Sequence, residues 1–119
     1  MAKPVVLSAG TLAGDPVVNR KGEDLGKIEE IMVDLASGRV AYAVLSFGGF
    51  LGMGDKLFAI PWQSLQIDTV SKRAILDLSK ERLESAPGFD KDNWPNMADR
   101  IWGESVYTHY GHRPYWQNP

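Results

Sequence analysis

Apolar residues occupy both faces of one segment in the middle of the chain, residues 39–47. Alternate side chains of an extended strand point to opposite faces. Here one alternating set is Val40, Tyr42 and Val44, and the other is Ala41, Ala43, Leu45 and Phe47. A strand that is apolar on both faces is expected to be covered on both sides. The pattern therefore predicts a central strand with protein against each face.

A second apolar run, residues 56–60, ends at Pro61, whose missing N–H interrupts a strand ladder. The loop between the two runs, residues 48–55, combines four glycines with three large apolar side chains, Phe50, Leu51 and Met53. A solvated turn does not need apolar groups of that size. Two interpretations are open: these side chains fold over their own barrel as a lid, or they lie at the contact of a homodimer.

Four further segments show strand-like alternation, namely residues 12–18, 25–35, 64–68 and 73–78. In the second of these, Ile31, Val33 and Leu35 share one face. Ile28 is out of phase with them, and nearby Gly26 makes a β-bulge the simplest explanation. About six short strands at hairpin spacing, with no long helix between them, favour a small antiparallel β-barrel.

The character of the sequence changes at Ser79, a predicted N-cap for a helix over residues 80–86. Pro95 predicts the start of a second helix, which Gly111 ends. Along that helix apolar and small residues recur at three- and four-residue spacing: Met97, Ala98, Ile101, Trp102, Ser105 and Val106. We therefore divide the chain into a barrel domain, residues 1–80, and a helical tail, residues 81–119.

Seven of the twelve aromatic residues lie within residues 89–116, which is far more than a solvated tail requires. The tail is expected to pack on the barrel or on a partner subunit. The candidate interaction residues are its large rings together with the apolar loop side chains: Trp94, Trp102, Tyr110, Trp116, Phe50, Leu51 and Met53.

Composition narrows the classes of function. The 119 residues suit one domain with an appendage, and 13 basic against 15 acidic residues give a net charge of -2. The chain therefore lacks the excess of basic residues with which proteins bind nucleic-acid backbones. Absence of cysteine excludes disulfides, thiolate metal sites and a cysteine nucleophile. No run approaches the roughly 18 apolar residues of a membrane span, so we expect a cytoplasmic protein.

None of the polar motifs assembles a catalytic or cofactor site. The glycine-rich segment 49–54 lacks the lysine and hydroxyl of a phosphate-binding loop. Residues 90–93 have carboxylates at calcium-loop spacing but lack the glycine and distal glutamate. His109 and His112 have no identifiable third ligand for a metal. We therefore expect no catalytic residue, no metal and no cofactor, and we do not expect an enzyme.

Three stretches resemble the PRC-barrel family: NRKGEDLGKI at residues 19–28, GRVAYAV at residues 38–44 and GDKLFAIPW at residues 54–62. The tail stretch APGFDKDNWP, residues 86–95, is similar to stand-alone bacterial members. The resemblance implies a small barrel over about residues 12–80 and an interaction-based role. It transfers no catalytic residue, because the family has no shared catalytic motif.

Two functions compete. The first is a non-catalytic assembly module that dimerises or docks onto another protein. The second is a small-ligand or metal-binding protein with a site between barrel and tail. That site would be lined by Trp62, Trp94, Trp102 and Tyr110, with His109 or Asp90 as polar groups.

Overall fold

The computed structural model describes residues 5–48 and 56–117. Within these residues six strands form one sheet in the order β4-β3-β2-β1-β6-β5. The strands are β1 Pro16–Val18, β2 Asp24–Asp34, β3 Arg39–Phe47, β4 Lys56–Pro61, β5 Leu65–Asp68 and β6 Arg73–Leu76. The helices are α1 Ala9–Leu12, α2 Lys80–Glu84 and α3 Arg100–His109, and 3-10 turns cover Trp62–Ser64 and Tyr115–Gln117. The predicted mainly-β fold with a helical tail is confirmed.

The sheet must be curled, because its two end strands follow one another directly in the chain. β4 and β5 stand at opposite ends of the strand order, yet only the turn Trp62–Ser64 joins them. A flat six-stranded sheet would place its end strands far apart, at about 4.8 Å per strand. The described pairings are antiparallel except for β1 with β6, which run parallel with Val17 opposite Ala74. The strand pattern predicted antiparallel pairing, and the parallel β1–β6 pair departs from it.

One sequence prediction needs correction at the start of the barrel. Residues 12–18 do not form one strand, because Leu12 ends α1, whose first turn the Ser8 side chain caps. The bulge predicted near Gly26 is confirmed, because the register of β2 shifts at Leu25 and again at Glu29, between Ile28 and Ile31. Gly26 itself is required by space: a Cβ there would lie 2.0 Å from the Ser46 carbonyl oxygen.

Two hydrophobic clusters cover the sheet. The barrel core contains Val17, Leu25, Ile28, Leu45, Phe47, Phe58, Ile60, Ala74, Leu76, Leu83 and Ala86. The tail core contains Ala41, Tyr42, Ala59, Val106 and Tyr107. β4 alternates between the clusters, since Phe58 and Ile60 enter the barrel core and Ala59 enters the tail core. β3 is buried from Ala41 to Phe47, so the predicted central strand is confirmed.

The turns that follow β2 and β5 are closed in the same way. Asp34 and Asp68 each use one carboxylate oxygen to accept the backbone N–H groups two and three residues further on, over 2.9–3.2 Å. The last residue of each turn has a positive φ, 74° at Gly38 and 55° at Lys72. Such carboxylate caps fix a turn locally, independently of the rest of the fold.

Candidate interaction surface

The helix α3 brings the tail onto the sheet, but it begins later than predicted. Pro95 does not start it; Asp99 caps it by accepting the Ile101 N–H at 2.9 Å, and Gly111 follows its end with a φ of 78°. Along this helix Val106 is buried, whereas Ile101 is 83% exposed. The prediction that Ile101 lies on the packed face is wrong.

Tyr107 fixes the middle of α3 to the sheet. Its side chain is fully buried, and its hydroxyl donates to the Ala41 carbonyl oxygen at 2.5 Å. Its ring lies 5.4 Å from that of Tyr42 and 6.1 Å from that of Trp116. Burial raises the pKa of Tyr107, because the ionised form loses its hydration. A neutral, hydrogen-bonded tyrosine therefore anchors the tail core.

Gly103 allows α3 to approach the sheet closely. A Cβ at this position would lie 2.5 Å from the Tyr42 hydroxyl oxygen and 2.9 Å from a ring carbon of Trp116. Tyr42 is buried, and its hydroxyl has no hydrogen-bond partner among residues 5–48 and 56–117. Burial also raises the pKa of Tyr42. Because Gly103 has no side chain, Tyr42 and Trp116 can both pack directly against the helix at this position.

The C-terminal turn is tied back to the β2–β3 hairpin through Tyr115. The Tyr115 hydroxyl donates to Asp34 Oδ2 at 2.6 Å, and the Arg39 guanidinium donates to the Tyr115 carbonyl oxygen at 2.8 Å. The Tyr115 hydrogen bond, followed by the turn N–H bonds, holds the pKa of Asp34 below its usual value. Burial raises the pKa of Tyr115 to about 12, and the bond to Asp34 acts in the same direction. A charged acceptor thus holds the turn in place.

Between the hairpin and the tail lies a cavity of about 420 Å³, which we call the hairpin–tail groove. Its apolar lining comes from Met32, Val33 and Leu35 on one side and from Met97 and Trp116 on the other, and Asp34 and Arg100 supply charges. Val33 is 46% exposed and Leu35 is 93% exposed. The alternation in the sequence grouped Val33 and Leu35 with Ile31 on one strand face. Leu35 stands at the end of that predicted strand, two residues before Ser37-Gly38, a pair of residues typical of a tight turn.

Two other cavities have more charged or polar residues among those that line them. One, of about 670 Å³, is lined by Lys27, Glu29 and Glu30 on β2 and by Asp90 and Trp94 on the tail, among other residues. The other, of about 450 Å³, is lined in part by Ser64, Arg82, His109, Tyr110 and His112. The residues predicted to line one ligand site therefore lie in two separate cavities. Asp90 and Trp94 line the first, and His109 and Tyr110 line the second.

The structure places the candidate interaction residues in three settings. Trp102 and Tyr110 pack against the tail core, and Trp116 lies beside Tyr107 with the Arg100 guanidinium 5.4 Å from its ring centre. Trp94 stands apart, 38% exposed, with its ring 5.1 Å from that of Phe89. The loop residues of the sequence analysis lie outside the described residues: Phe50, Leu51 and Met53.

Within residues 5–48 and 56–117, no three histidine, aspartate or glutamate side chains are grouped so that they could hold a metal ion. None of the helices in this part of the chain has the length and apolar character needed to cross a membrane.

Comparison with known proteins identifies the barrel. A solved structure of a 16S ribosomal RNA processing protein, RimM, from Pseudomonas aeruginosa is similar with a TM-score of 0.43 and 19% identity, over 63% of this chain. This chain spans less than half of that structure's length, 45%. No curated protein matches the chain. The model of the PRC-barrel domain matches residues 4–83. The chain belongs to the PRC-barrel family.

Proposed function

We propose that this protein is a non-catalytic interaction module that self-associates and uses the hairpin–tail groove as its contact surface. One observation carries the proposal: the groove is preformed, and its rim exposes large apolar side chains. Exposed apolar groups that cluster beside a recess are typical of protein contacts, whereas single exposed apolar residues are ordinary. The module acts without a cofactor and through surface complementarity.

Hydrogen bonds fix both walls of the groove before any partner arrives. Asp34 closes the hairpin turn and also accepts the Tyr115 hydroxyl, so one carboxylate holds the hairpin and the C-terminal turn together. Arg39 adds a second link to Tyr115. A surface held in its bound shape loses less conformational entropy on association, which favours binding. This rigidity supports a docking role for the groove.

Within this proposal the barrel, residues 1–80, supplies one wall and the tail, residues 81–119, supplies the other. Trp116 contributes directly to the groove, whereas Trp102 and Tyr110 support it from the tail core. Trp94, together with Phe50, Leu51 and Met53, remains a candidate for a second contact.

A small-ligand protein is the alternative function, favoured by the size of the groove. Pockets that hold small molecules measure roughly 300–1,000 Å³ and combine an apolar lining with a few polar groups. The hairpin–tail groove, at about 420 Å³ with Asp34 and Arg100 among its lining residues, meets that description.

Native mass spectrometry of freshly purified protein separates the two functions. The interaction module gives an oligomer whose mass is a multiple of the chain mass, with no additional adduct. A retained small molecule or metal ion that leaves the chain monomeric would contradict the proposal and support the alternative. A cross-linking experiment in cell extract, read out by mass spectrometry of the linked peptides, then shows whether residues 32–36 form the contact.

A further inference from the structure

We propose that the hairpin–tail groove is occupied by a second copy of this chain, in a two-fold dimer in which Leu35 of each copy enters the groove of the other. This inference rests on the proposed function and adds the two-fold symmetry of the contact and the side chain, Leu35, that enters the groove. It differs from a contact through the loop at Phe50, Leu51 and Met53. That loop follows β3 in the chain, whereas Leu35 lies in the turn that precedes β3.

The shape of the surface fits a two-fold contact. In a two-fold interface both copies use the same surface, which must contain a projection and a recess side by side. Leu35 projects from the hairpin turn with 93% of its surface exposed, and it borders the recess lined by Met32 and Met97. A partner of different sequence would need the recess only. The projection beside the recess is what favours a second copy.

The charges of the groove are complementary to themselves. Asp34 carries a negative charge on the hairpin wall, and Arg100 carries a positive charge on the tail wall. When this surface meets its own copy, a two-fold rotation can set Arg100 of one chain against Asp34 of the other. Such opposed pairs favour the correct register of an interface. The net charge of -2 is too small for two copies to repel strongly.

Hydrogen bonds already order the turn that carries Leu35 in the single chain. Asp34 accepts the Ala36 and Ser37 N–H groups, and the Gly38 N–H bonds to the Asp34 carbonyl oxygen at 2.7 Å. Leu35 is therefore presented on a backbone that association does not have to order. The β5–β6 turn, built on Asp68, presents Val70 with 92% exposure, but Val70 does not line the groove.

The two turns provide a matched test. Leu35→Ser and Val70→Ser each remove an exposed apolar side chain from a carboxylate-capped turn, and sedimentation velocity from about 1 μM to about 1 mM covers weak and moderate dimers. We expect the unmodified protein and Val70→Ser to dimerise alike. Leu35→Ser should weaken dimerisation at least tenfold, because every dimer loses the side chain twice. Circular dichroism should show that both variants keep the native spectrum.

Other results would overturn the inference. If Leu35→Ser dimerises as tightly as Val70→Ser, the groove is not the contact. A Phe50→Ser/Leu51→Ser variant that becomes monomeric would then assign self-association to the loop. In that case the self-associating module would stand, and the groove as its contact surface would be overturned. An unmodified protein that stays monomeric up to about 1 mM would overturn both the dimer and the self-association in the proposed function.

Discussion

The barrel core and the tail core bury opposite faces of the same strands with different chemistry. The barrel core is mainly aliphatic and joins most strands to α2. The tail core sets Tyr42 and Tyr107 over the small side chains of Ala41 and Ala59. Aliphatic packing tolerates exchange among residues of similar volume, whereas buried tyrosines require specific geometry and hydrogen-bond partners. We infer that the barrel core determines the fold, while the tail core determines how the tail is placed.

Removal of the tail should have the largest effect. A chain that ends before Phe89 loses all of α3 and the backbone pair in which Leu57 and Phe89 exchange hydrogen bonds of 2.9 and 2.8 Å. Tyr42 and Ala59 would then become exposed apolar surface, so we expect aggregation or a marked loss of thermal stability. Size-exclusion chromatography and a thermal melt measure both. A soluble, monomeric truncated barrel with unchanged thermal stability would show that the barrel core is sufficient.

Next in size is the loss of one buried ring. Tyr107→Ala should lower the free energy of unfolding by about 3–5 kcal/mol, because it removes a fully buried ring and leaves a cavity in the tail core. Trp102→Ala should have a smaller effect, since Trp102 is only partly buried and lies 5.3 Å from Tyr42 between ring centres. Urea unfolding followed by circular dichroism compares them. An equal or larger loss for Trp102→Ala would contradict the assignment of Tyr107 as the anchor.

Sequence patterns predicted the barrel better than the tail. Two-residue alternation along β3 and β4 is a local signal, and it placed Leu45 and Phe58 inside without knowledge of their partners. The hydrogen bond of Tyr107 joins it to Ala41, 66 positions earlier in the chain, and a local sequence pattern cannot predict a contact between residues so far apart. Pro95 predicted an early helix start, but local turns precede α3: the Asp99 N–H bonds to the Asn96 carbonyl oxygen at 3.1 Å.

The candidate surface was harder to predict for the same reason. Trp116 and Leu35 are distant in sequence, and they share a groove because Tyr115 bonds to both Asp34 and Arg39. The large rings Trp102 and Tyr110 drew attention in the sequence, yet they support the surface from within. Polar tethers between distant segments decide which apolar side chains remain exposed, and a hydrophobic pattern does not contain them.

Gly103→Ala should show how closely α3 approaches the sheet. Alanine favours helices over glycine by about 1 kcal/mol. Here its Cβ would lie 2.5 Å from the Tyr42 hydroxyl oxygen, so we expect overpacking to dominate and stability to fall by about 1–3 kcal/mol. Gly10→Ala is the control, because α1 offers space, with the nearest atom, Ser8 Oγ, at 4.0 Å. Stabilisation by both substitutions in urea unfolding would contradict the close approach.

A smaller effect should distinguish the two tyrosine hydroxyls. Tyr107→Phe leaves the Ala41 carbonyl oxygen without its donor and should cost about 1 kcal/mol or somewhat more. Tyr42→Phe removes a buried hydroxyl that has no partner among the described residues, so it should be neutral or stabilising. The free energies of unfolding of the two variants in urea provide the comparison. Equal losses would mean that the Tyr42 hydroxyl is in fact hydrogen-bonded.

The smallest effect concerns pH and the tether between Asp34 and Tyr115. The folded-state pKa of Asp34 lies below its ordinary value, chiefly because of the Tyr115 hydrogen bond. A lowered carboxyl pKa contributes stability above the unfolded value, about 3.9, and this contribution is lost as the pH falls through the folded pKa. Attachment of the C-terminal turn should therefore weaken below about pH 4.

Tyr115→Phe removes the main cause of that shift, so the pKa of Asp34 should rise toward its ordinary value. Asp68 is the internal control, since its pKa is also lowered, first of all by the Ser71 backbone N–H, but it makes no bond to the part of the tail that the structure describes, residues 81–117. Carboxyl carbon NMR titrations of both residues, in the unmodified protein and in Tyr115→Phe, measure the two pKa values directly. We expect Asp34 to respond and Asp68 to stay unchanged. If the pKa of Asp34 does not move, its turn N–H bonds alone account for the shift, and the hydroxyl of Tyr115 does not hold the groove together.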